Sequence, residues 1–275
     1  MKRFELDNYK IDIINLYQNQ GLSCDKIAKV YGASLCGIYD ALRRWKIPTR
    51  NLSKSHKIYK MNDSFFKIID TEDKAYWLGF IYADGFVTMP HSFGLALAMK
   101  DKSHLVKLLK CLESDYPLHN YETNSEYGKH PYSRLLINNE EIFNDLQNKG
   151  VKLRKTLIIE FPSEEILPKK LYRHFIRGYF DGDGSLILSE GSINFKICGT
   201  KEFLYKLIEI FNKVSAYDFK YKLYKRNKDT KNNYYLSYGG LRKVYSILSY
   251  LYKDSTIFLE RKRDKYKKLE EMFYS

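Results

Sequence analysis

Two twelve-residue phrases constrain this chain more than anything else in it: AYWLGFIYADGF at residues 75–86 and HFIRGYFDGDGS at residues 174–185. They align without a gap, Gly79 on Gly178, Phe80 on Tyr179, Asp84 on Asp183 and Gly85 on Gly184. The interval of 183 − 84 = 99 residues is long enough for a whole small domain to be duplicated. Each copy is followed by a strand-like run, FVTM or SLIL, then a second strand and a helix: GLALAMKDKSHLVKLLKCL in the first half, INFKICGTKEFLYKLIEIF in the second. The repeat therefore extends well past the phrase.

Each phrase has helical length. Gly79 and Gly178 lack side chains, so two such helices can approach almost backbone to backbone there. Gly85 and Gly184 stand where the helices end and are expected in the left-handed conformation that often closes a helix. Asp84 and Asp183 are the puzzle. A carboxylate at a helix C-terminus faces the negative end of the macrodipole, and two packed side by side repel each other. A divalent cation between them removes both objections, and such ions activate water and stabilise a phosphate leaving group.

A polyanionic partner fits the charge. Lys and Arg exceed Asp and Glu by 14, which favours nucleic acid over a membrane. No run approaches the length of a membrane span, and the start MKRFELDNYK lacks the apolar run of a signal peptide, so a cytoplasmic protein is expected. The cysteines Cys24, Cys36, Cys111 and Cys198 form no C-x-x-C pair, so buried reduced thiols are expected rather than disulfides or a zinc ribbon. No H-E-x-x-H or Gly-rich phosphate loop occurs.

Residues 8–46 read as three helices. Ile11, Ile14, Leu16 and Tyr17 share a face of the first, and Gly21 ends it. Ser23 caps the second, with Ile27 and Val30 flanking Ala28, and Gly32 permits the turn into a third capped by Ser34. Leu35, Ile38 and Leu42 would be buried, leaving Ser34, Gly37, Tyr39, Asp40 and Arg43 outward, with Arg44 adding charge. The pattern resembles a helix-turn-helix, whose last helix enters the major groove, so Ser34, Tyr39, Arg43 and Arg44 are candidate DNA contacts. Pro48 stops this helix, and the following stretch reads as a basic linker.

WLGFIYADG and IRGYFDGDG match, at their glycines and final Asp-Gly, the motif of LAGLIDADG homing endonucleases, and the chain resembles the single-chain, two-motif form over most of residues 73–270. It departs at Tyr82, where the motif's first Asp stands; the second copy keeps it as Asp181. The resemblance implies an α+β protein: two fused, pseudo-symmetric αββαββα half-domains with saddle-shaped antiparallel sheets, here preceded by a small all-α helix-turn-helix domain. Boundaries are expected at 1–50 (helix-turn-helix), 51–72 (linker), 73–165 and 166–275 (half-domains). Asp84 and Asp183 take the catalytic and metal-binding role, joined at the metal by Gly85 and Gly184, with magnesium as the ion. Aligning LRK with ERK pairs Lys155 with Lys262, and the family places a basic residue near this point beside the scissile phosphates. Such a residue would stabilise developing charge or order the attacking water.

Sheet faces supply the remaining candidates. SINFKICG alternates Ile193, Phe195 and Ile197 against Ser192, Asn194 and Lys196. FKYKLYKR alternates Phe219, Tyr221, Leu223 and Lys225 against Lys220, Lys222, Tyr224 and Arg226. FGLALAMK offers Gly94, Ala96, Ala98 and Lys100. An antiparallel sheet covered on one side presents such a face to a partner, where basic and amide side chains meet phosphates and base edges. YETNSEYGKHPYS, residues 121–133, reads as a loop.

The function expected is cleavage of a long, asymmetric double-stranded DNA site by metal-dependent phosphodiester hydrolysis. The resemblance further implies cutting across the minor groove with 3′ overhangs, by a monomer without a protein partner, encoded by a mobile element in a bacterium or phage. A transcription regulator or an intron RNA maturase on the same scaffold are the alternatives. Retention of both aspartates weighs against the first, and a duplex-reading N-terminal domain against the second. An intein-borne enzyme is not expected, since the ends lack splice-junction residues.

Overall fold

In the N-terminal part, the Ser23 and Ser34 hydroxyls accept the N–H groups of Lys26 (3.3 Å) and Gly37 (3.0 Å), and Gly32 at φ 59° closes the helix between them. Both serines thus satisfy orphan donors at helix starts. The result is α1 (Lys10–Gln18), α2 (Cys24–Tyr31) and α3 (Leu35–Arg44) around a core of Leu6, Ile13, Tyr17, Ile27, Ala28, Ile38, Ala41 and Leu42. Three residues expected inside are exposed: Ile11 at 83%, Val30 at 64% and Leu35 at 49%. A 3₁₀ turn that buries Leu6 leads into α1, and the inward stripe then runs through Ile13 and Tyr17, one helical turn apart. The structure, a computed structural model, describes residues 5–49, 59–126, 128–153, 158–189, 191–226 and 231–275. It divides into two units, 1–58 and 59–275.

The second unit starts earlier than expected. Residues 59–72 were read as linker, yet Phe65, Phe66 and Ile69 are buried in its core. The Lys60 and Asn62 N–H groups are held by the Asp115 carboxylate and the Leu112 carbonyl. Three apolar residues suffice to tie this polar stretch down.

From there the order is α4 (Glu72–Asp84), β1 (Phe86–Thr88), β2 (Ser92–Ala98), α5 (Lys102–Cys111), β3 (Leu118–Ser125), β4 (Gly128–Asn138) and α6 (Glu140–Asn148). The pattern recurs as α7 (Tyr172–Asp183), β5 (Gly184–Ser189), β6 (Ser192–Gly199), α8 (Lys201–Val214), β7 (Tyr224–Lys225), β8 (Tyr234–Gly239) and α9 (Leu241–Tyr252), followed by α10 (Glu260–Tyr274). Each half is an αββαββα unit with a four-stranded antiparallel sheet, ordered β1-β2-β4-β3 and β5-β6-β8-β7. Phe93, Leu95 and Leu135 in one sheet, and Phe195, Ile197 and Leu236 in the other, turn inward. The other faces stay open.

Two strand expectations are corrected. Residues 121–133 are no loop: Tyr121 pairs with Tyr132 and Ser125 with Gly128 in a β3–β4 hairpin. Its outer residues are exposed on both faces, so no apolar alternation marks it. Conversely, of FKYKLYKR only Tyr224–Lys225 is strand. The Asn212 amide clamps the Phe219 backbone (2.7 and 3.0 Å) and the Lys222 N–H turns back to the Lys220 carbonyl, satisfying that stretch without a ladder. Among the described residues no helix is long and apolar enough to cross a membrane. None of the four cysteines is in a disulfide; Cys24 is buried, Cys111 and Cys198 are half-buried, and Cys36 is exposed rather than buried.

Candidate active site

The site rests on the contact between α4 and α7. A Cβ at Gly79 would lie 2.0 Å from the Phe175 carbonyl oxygen, and one at Gly178 1.9 Å from that of Tyr76. The backbones touch reciprocally, as these glycines predict. This brings the two C-termini together. A Cβ at Gly182 would stand 2.4 Å from the Ala83 Cβ and 3.3 Å from Oδ2 of Asp84, so the Asp84 carboxylate lies against the residue preceding Asp183. Asp84 is exposed and Asp183 half-buried.

Gly85 and Gly184 are not left-handed; their φ values are −74° and −88°, both extended. Space, not handedness, demands glycine. The chain leaves each helix across its own last turn, where a Cβ would meet Ile81 at 2.7 Å or the Phe180 ring at 2.0 Å.

Lys262, from the first turn of α10, is 3% exposed. Its ammonium donates to the carbonyls of Asp181 (2.9 Å), Gly184 (2.7 Å) and Phe180, beneath which the Phe180 ring lies 4.7 Å away. A cation on the last carbonyls of a helix offsets the macrodipole. Burial pushes this lysine down to about 8, with Asp181 the chief opposing influence and Asp84 and Asp183 further ones. The expected place beside a scissile phosphate is therefore corrected: its donors are spent on main-chain oxygens. One lone pair of the Gly184 carbonyl, the expected metal contact, is taken by this ammonium, and the oxygen keeps a second. Lys155 lies outside the described residues.

Beneath the site runs a buried polar network. Asp181, fully buried, accepts from the hydroxyls of Tyr76 (2.7 Å) and Tyr252 and from the Leu259 N–H (2.8 Å). Burial raises its pKa, against the pull of Lys262. Tyr76 also meets His104 Nε2 at 2.9 Å, and burial pushes that ring down to about 3, so it is neutral. On the α4 side Tyr82 replaces this acid; its hydroxyl donates to the Lys149 carbonyl over Gly150, where a Cβ would lie 2.0 Å from the Tyr82 hydroxyl oxygen. Arg177, also fully buried, bonds Glu72 at 2.6 Å and the carbonyls of Ile257 and Leu251 at 2.9 Å. Burial pushes the Glu72 carboxyl up, but His174, the Thr256 N–H and the Arg177 charge outweigh it and bring it to about 2. The sequence signs of this network are two charged residues, Arg177 and Asp181, among the apolar residues of the second phrase.

The open faces carry the remaining candidates. On the second sheet Asn194 accepts from Ser237 (2.9 Å), the Lys196 ammonium sits 4.1 Å from the Tyr235 ring, and Tyr224 stacks on Tyr235 at 5.2 Å. Lys220 and Lys222 are exposed but off the ladder, whereas the exposed Arg226 continues it, its N–H donating to the Asn233 carbonyl at 3.1 Å. On the first sheet Lys100 is not on β2; it lies in the 3₁₀ turn Met99–Asp101. The register instead aligns Ala96, Arg134 and His119, then Ala98, Tyr132 and Tyr121, then His130 and Thr123, on that open face. Tyr121 stacks on Tyr132 at 5.5 Å, and Arg134 lies over Phe86 at 5.1 Å. These hairpin residues went unread as candidates. In α3, Ser34, Tyr39 and Arg43 are exposed, while Arg44 is corrected: Asp7 holds it at 2.7 Å, with the Trp45 indole on the same oxygen.

Duplicated αββαββα units joined through Asp-Gly-terminated helices are the architecture that the resemblance to LAGLIDADG homing endonucleases implies. Solved structures similar to this chain include the homing endonuclease I-WcaI bound to its DNA recognition sequence (16% identity, 68% of this chain and 84% of that one, TM-score 0.49). Others are I-LtrWI bound to target DNA (12%, 74% and 92%, 0.44) and the N-terminal LAGLIDADG domain of DUF199/WhiA (14%, 74% and 94%, 0.41). Likenesses this distant say nothing of activity. The probable translation initiation factor IF-2 of Methanocaldococcus jannaschii is 27% identical over 169 residues, 48% of this chain, which spans only 14% of that protein. No family model matches.

Proposed function

We propose that this chain is a site-specific endonuclease of double-stranded DNA, of the homing type, hydrolysing phosphodiester bonds with a divalent metal. The observation that carries it is the meeting of two Asp-bearing helix ends, with Oδ2 of Asp84 only 3.3 Å from a Cβ position on Gly182. Among the described residues no group of three His, Cys, Asp or Glu side chains could hold a metal. Paired carboxylates sharing a site with solvent and phosphate oxygens suit a hard cation such as magnesium. Asp84 and Asp183 would hold it. Bound there, the ion would supply an activated water and stabilise the leaving oxygen.

The protein's own residues do the rest. Lys262 fixes the α7 terminus from below, so that Asp183 is presented on a helix end whose carbonyls are already neutralised. The open sheet faces orient the duplex through Asn194, Lys196, Tyr224, His119 and Arg134, with phosphates taken by the exposed Lys220, Lys222 and Arg226. One sheet ends in the long β3–β4 hairpin and the other in a two-residue β7, so the two halves offer unequal contact, as an asymmetric target requires. The exposed residues of α3, Tyr39 and Arg43, fit a reading helix.

Asp84→Asn and Asp183→Asn should each abolish magnesium-dependent cleavage of a selected duplex while leaving specific binding measurable. Undiminished nicking in both would refute the assignment. Binding by wild-type protein without any cutting of a randomised duplex library would make it a DNA-binding regulator instead. Tighter binding of structured RNA than of duplex DNA would favour a maturase.

A further inference from the structure

The second half-domain contains a cavity of about 390 Å³ that the nuclease reading leaves unused, lined among others by Arg173, Arg242, Lys253, Tyr217, Tyr250 and Phe273. It sits on the helix side of the second sheet, away from its open face: the lining comes from α7, the end of α8, α9 and the last turn of α10. Arg173 is ten residues before Asp183 on α7, about 15 Å along the helix axis.

Its chemistry is uneven. Three lining residues are cations, none is a carboxylate, and among the described residues none of the three cations forms an ion pair. One Arg173 nitrogen donates to the Lys253 carbonyl, but its Nε is buried without a partner. A buried donor left unsatisfied is costly, and more so on a charged group, so an acceptor is wanted there. Like charges gathered without counter-charge want the same thing. Beside the cations stand aromatic walls. Phe273 ends a column of near-parallel rings that runs through Tyr245 (4.0 Å), Tyr266 (6.3 Å) and the buried Tyr252 (5.6 Å). Burial pushes the Tyr250 hydroxyl up to about 12, with Arg173 the main opposing influence, so Tyr250 is a neutral donor next to that guanidinium.

We propose that this cavity binds a nucleoside monophosphate group. Arg173, Arg242 and Lys253 take the phosphate, as guanidinium and ammonium donors do, and the base lies against Tyr217, Tyr250 and Phe273. A cavity of this volume is in the range of small-ligand sites, and a duplex does not enter it. The group has two sources, a free mononucleotide or the 5′-phosphorylated end of a strand.

Calorimetric titration of the full chain with AMP, adenosine and inorganic phosphate tests this. AMP should bind one to one and at least tenfold more tightly than adenosine. The exposed pair Arg242→Ala with Lys253→Ala should weaken AMP at least tenfold without changing the melting temperature or duplex binding. A separate Arg173→Lys variant, which keeps the charge but not the planar fork, should weaken it less. Competition by a 5′-phosphorylated oligonucleotide, and not by its 5′-hydroxyl form, assigns the strand end; its failure to compete assigns the free nucleotide. Equal affinity for AMP and adenosine, undiminished AMP binding in the double variant, or no binding at millimolar AMP would overturn the proposal. Cleavage is no part of this readout, so the outcome is independent of the nuclease reading.

Discussion

Replacing Gly178 by Ala asks the helix pair for room it does not have. The new Cβ would fall 1.9 Å from the Tyr76 carbonyl oxygen, 2.8 Å from its carbon and 2.9 Å from the Phe80 nitrogen, all backbone atoms. Ordinary contact begins at 3.4 Å, a deficit of 3.4 − 1.9 = 1.5 Å that no rotamer change absorbs. The helices must part, and with them the buried Asp181–Tyr76 and Arg177–Glu72 bonds that cross between them. Overpacking costs typically 1–3 kcal/mol, and against rigid backbone we expect about 3 kcal/mol. For a domain of this size that lowers the melting temperature by roughly 6–12 °C. Gly239→Ala is the control: its Cβ would sit 3.4 Å from the Ile193 carbonyl, ordinary contact. Thermal melts of both variants, with cleavage measured well below the transition, make the comparison. A Gly178→Ala protein that melts with wild type and cuts at the wild-type rate would refute both the backbone contact and its link to the carboxylate pair.

Lys262→Met should destabilise by about 3 kcal/mol or more, since it strips a buried charge from its partners. With a folded pKa near 8, below the usual lysine value of 10.5, the unfolded chain binds more protons between those pH values, so this group makes stability rise with pH across that window. Urea titrations at pH 7.5 and 10.5 should show that contribution in wild type and not in the variant. Glu72, whose folded pKa is about 2, adds stability that is complete above the usual 4.5 and fades as pH falls towards 2; Glu72→Gln should abolish that acid dependence and cost about 3 kcal/mol at neutral pH by stranding buried Arg177. Deleting residues 1–50 should raise Kd for the target more than it slows cleavage at saturating enzyme, and log Kd should climb steeply with log salt concentration in the full chain. Binding that ignores either change would contradict the proposed reader or the basic faces.

The helix pair was legible because its demands are absolute. Only glycine permits the approach at residues 79 and 178, and an acid at a helix end is costly enough to be noticed twice. The same residue type misled at Gly85 and Gly184, since a glycine wanted for space looks like one wanted for handedness. Periodicity carried β6, where Phe195 and Ile197 alternate with Asn194 and Lys196, but failed for β3–β4, whose outer part buries neither face. Phe65, Phe66 and Ile69 were too sparse to mark residues 59–72 as folded. Lys262 lies in ERKRDKYKK, where nothing local separates one buried lysine from its solvated neighbours; only the tertiary position of α10 over the end of α7 does.

Where α4 and α7 cross at residues 79 and 178, main chain rests on main chain, so that point of the junction has no side chain that could be thinned or padded. A lineage wishing to reset the tilt of one sheet relative to its twin would find no gradual route through residues 79 and 178. Variation is instead channelled outward, to the rims of the sheets, where a residue can be exchanged without the other half noticing.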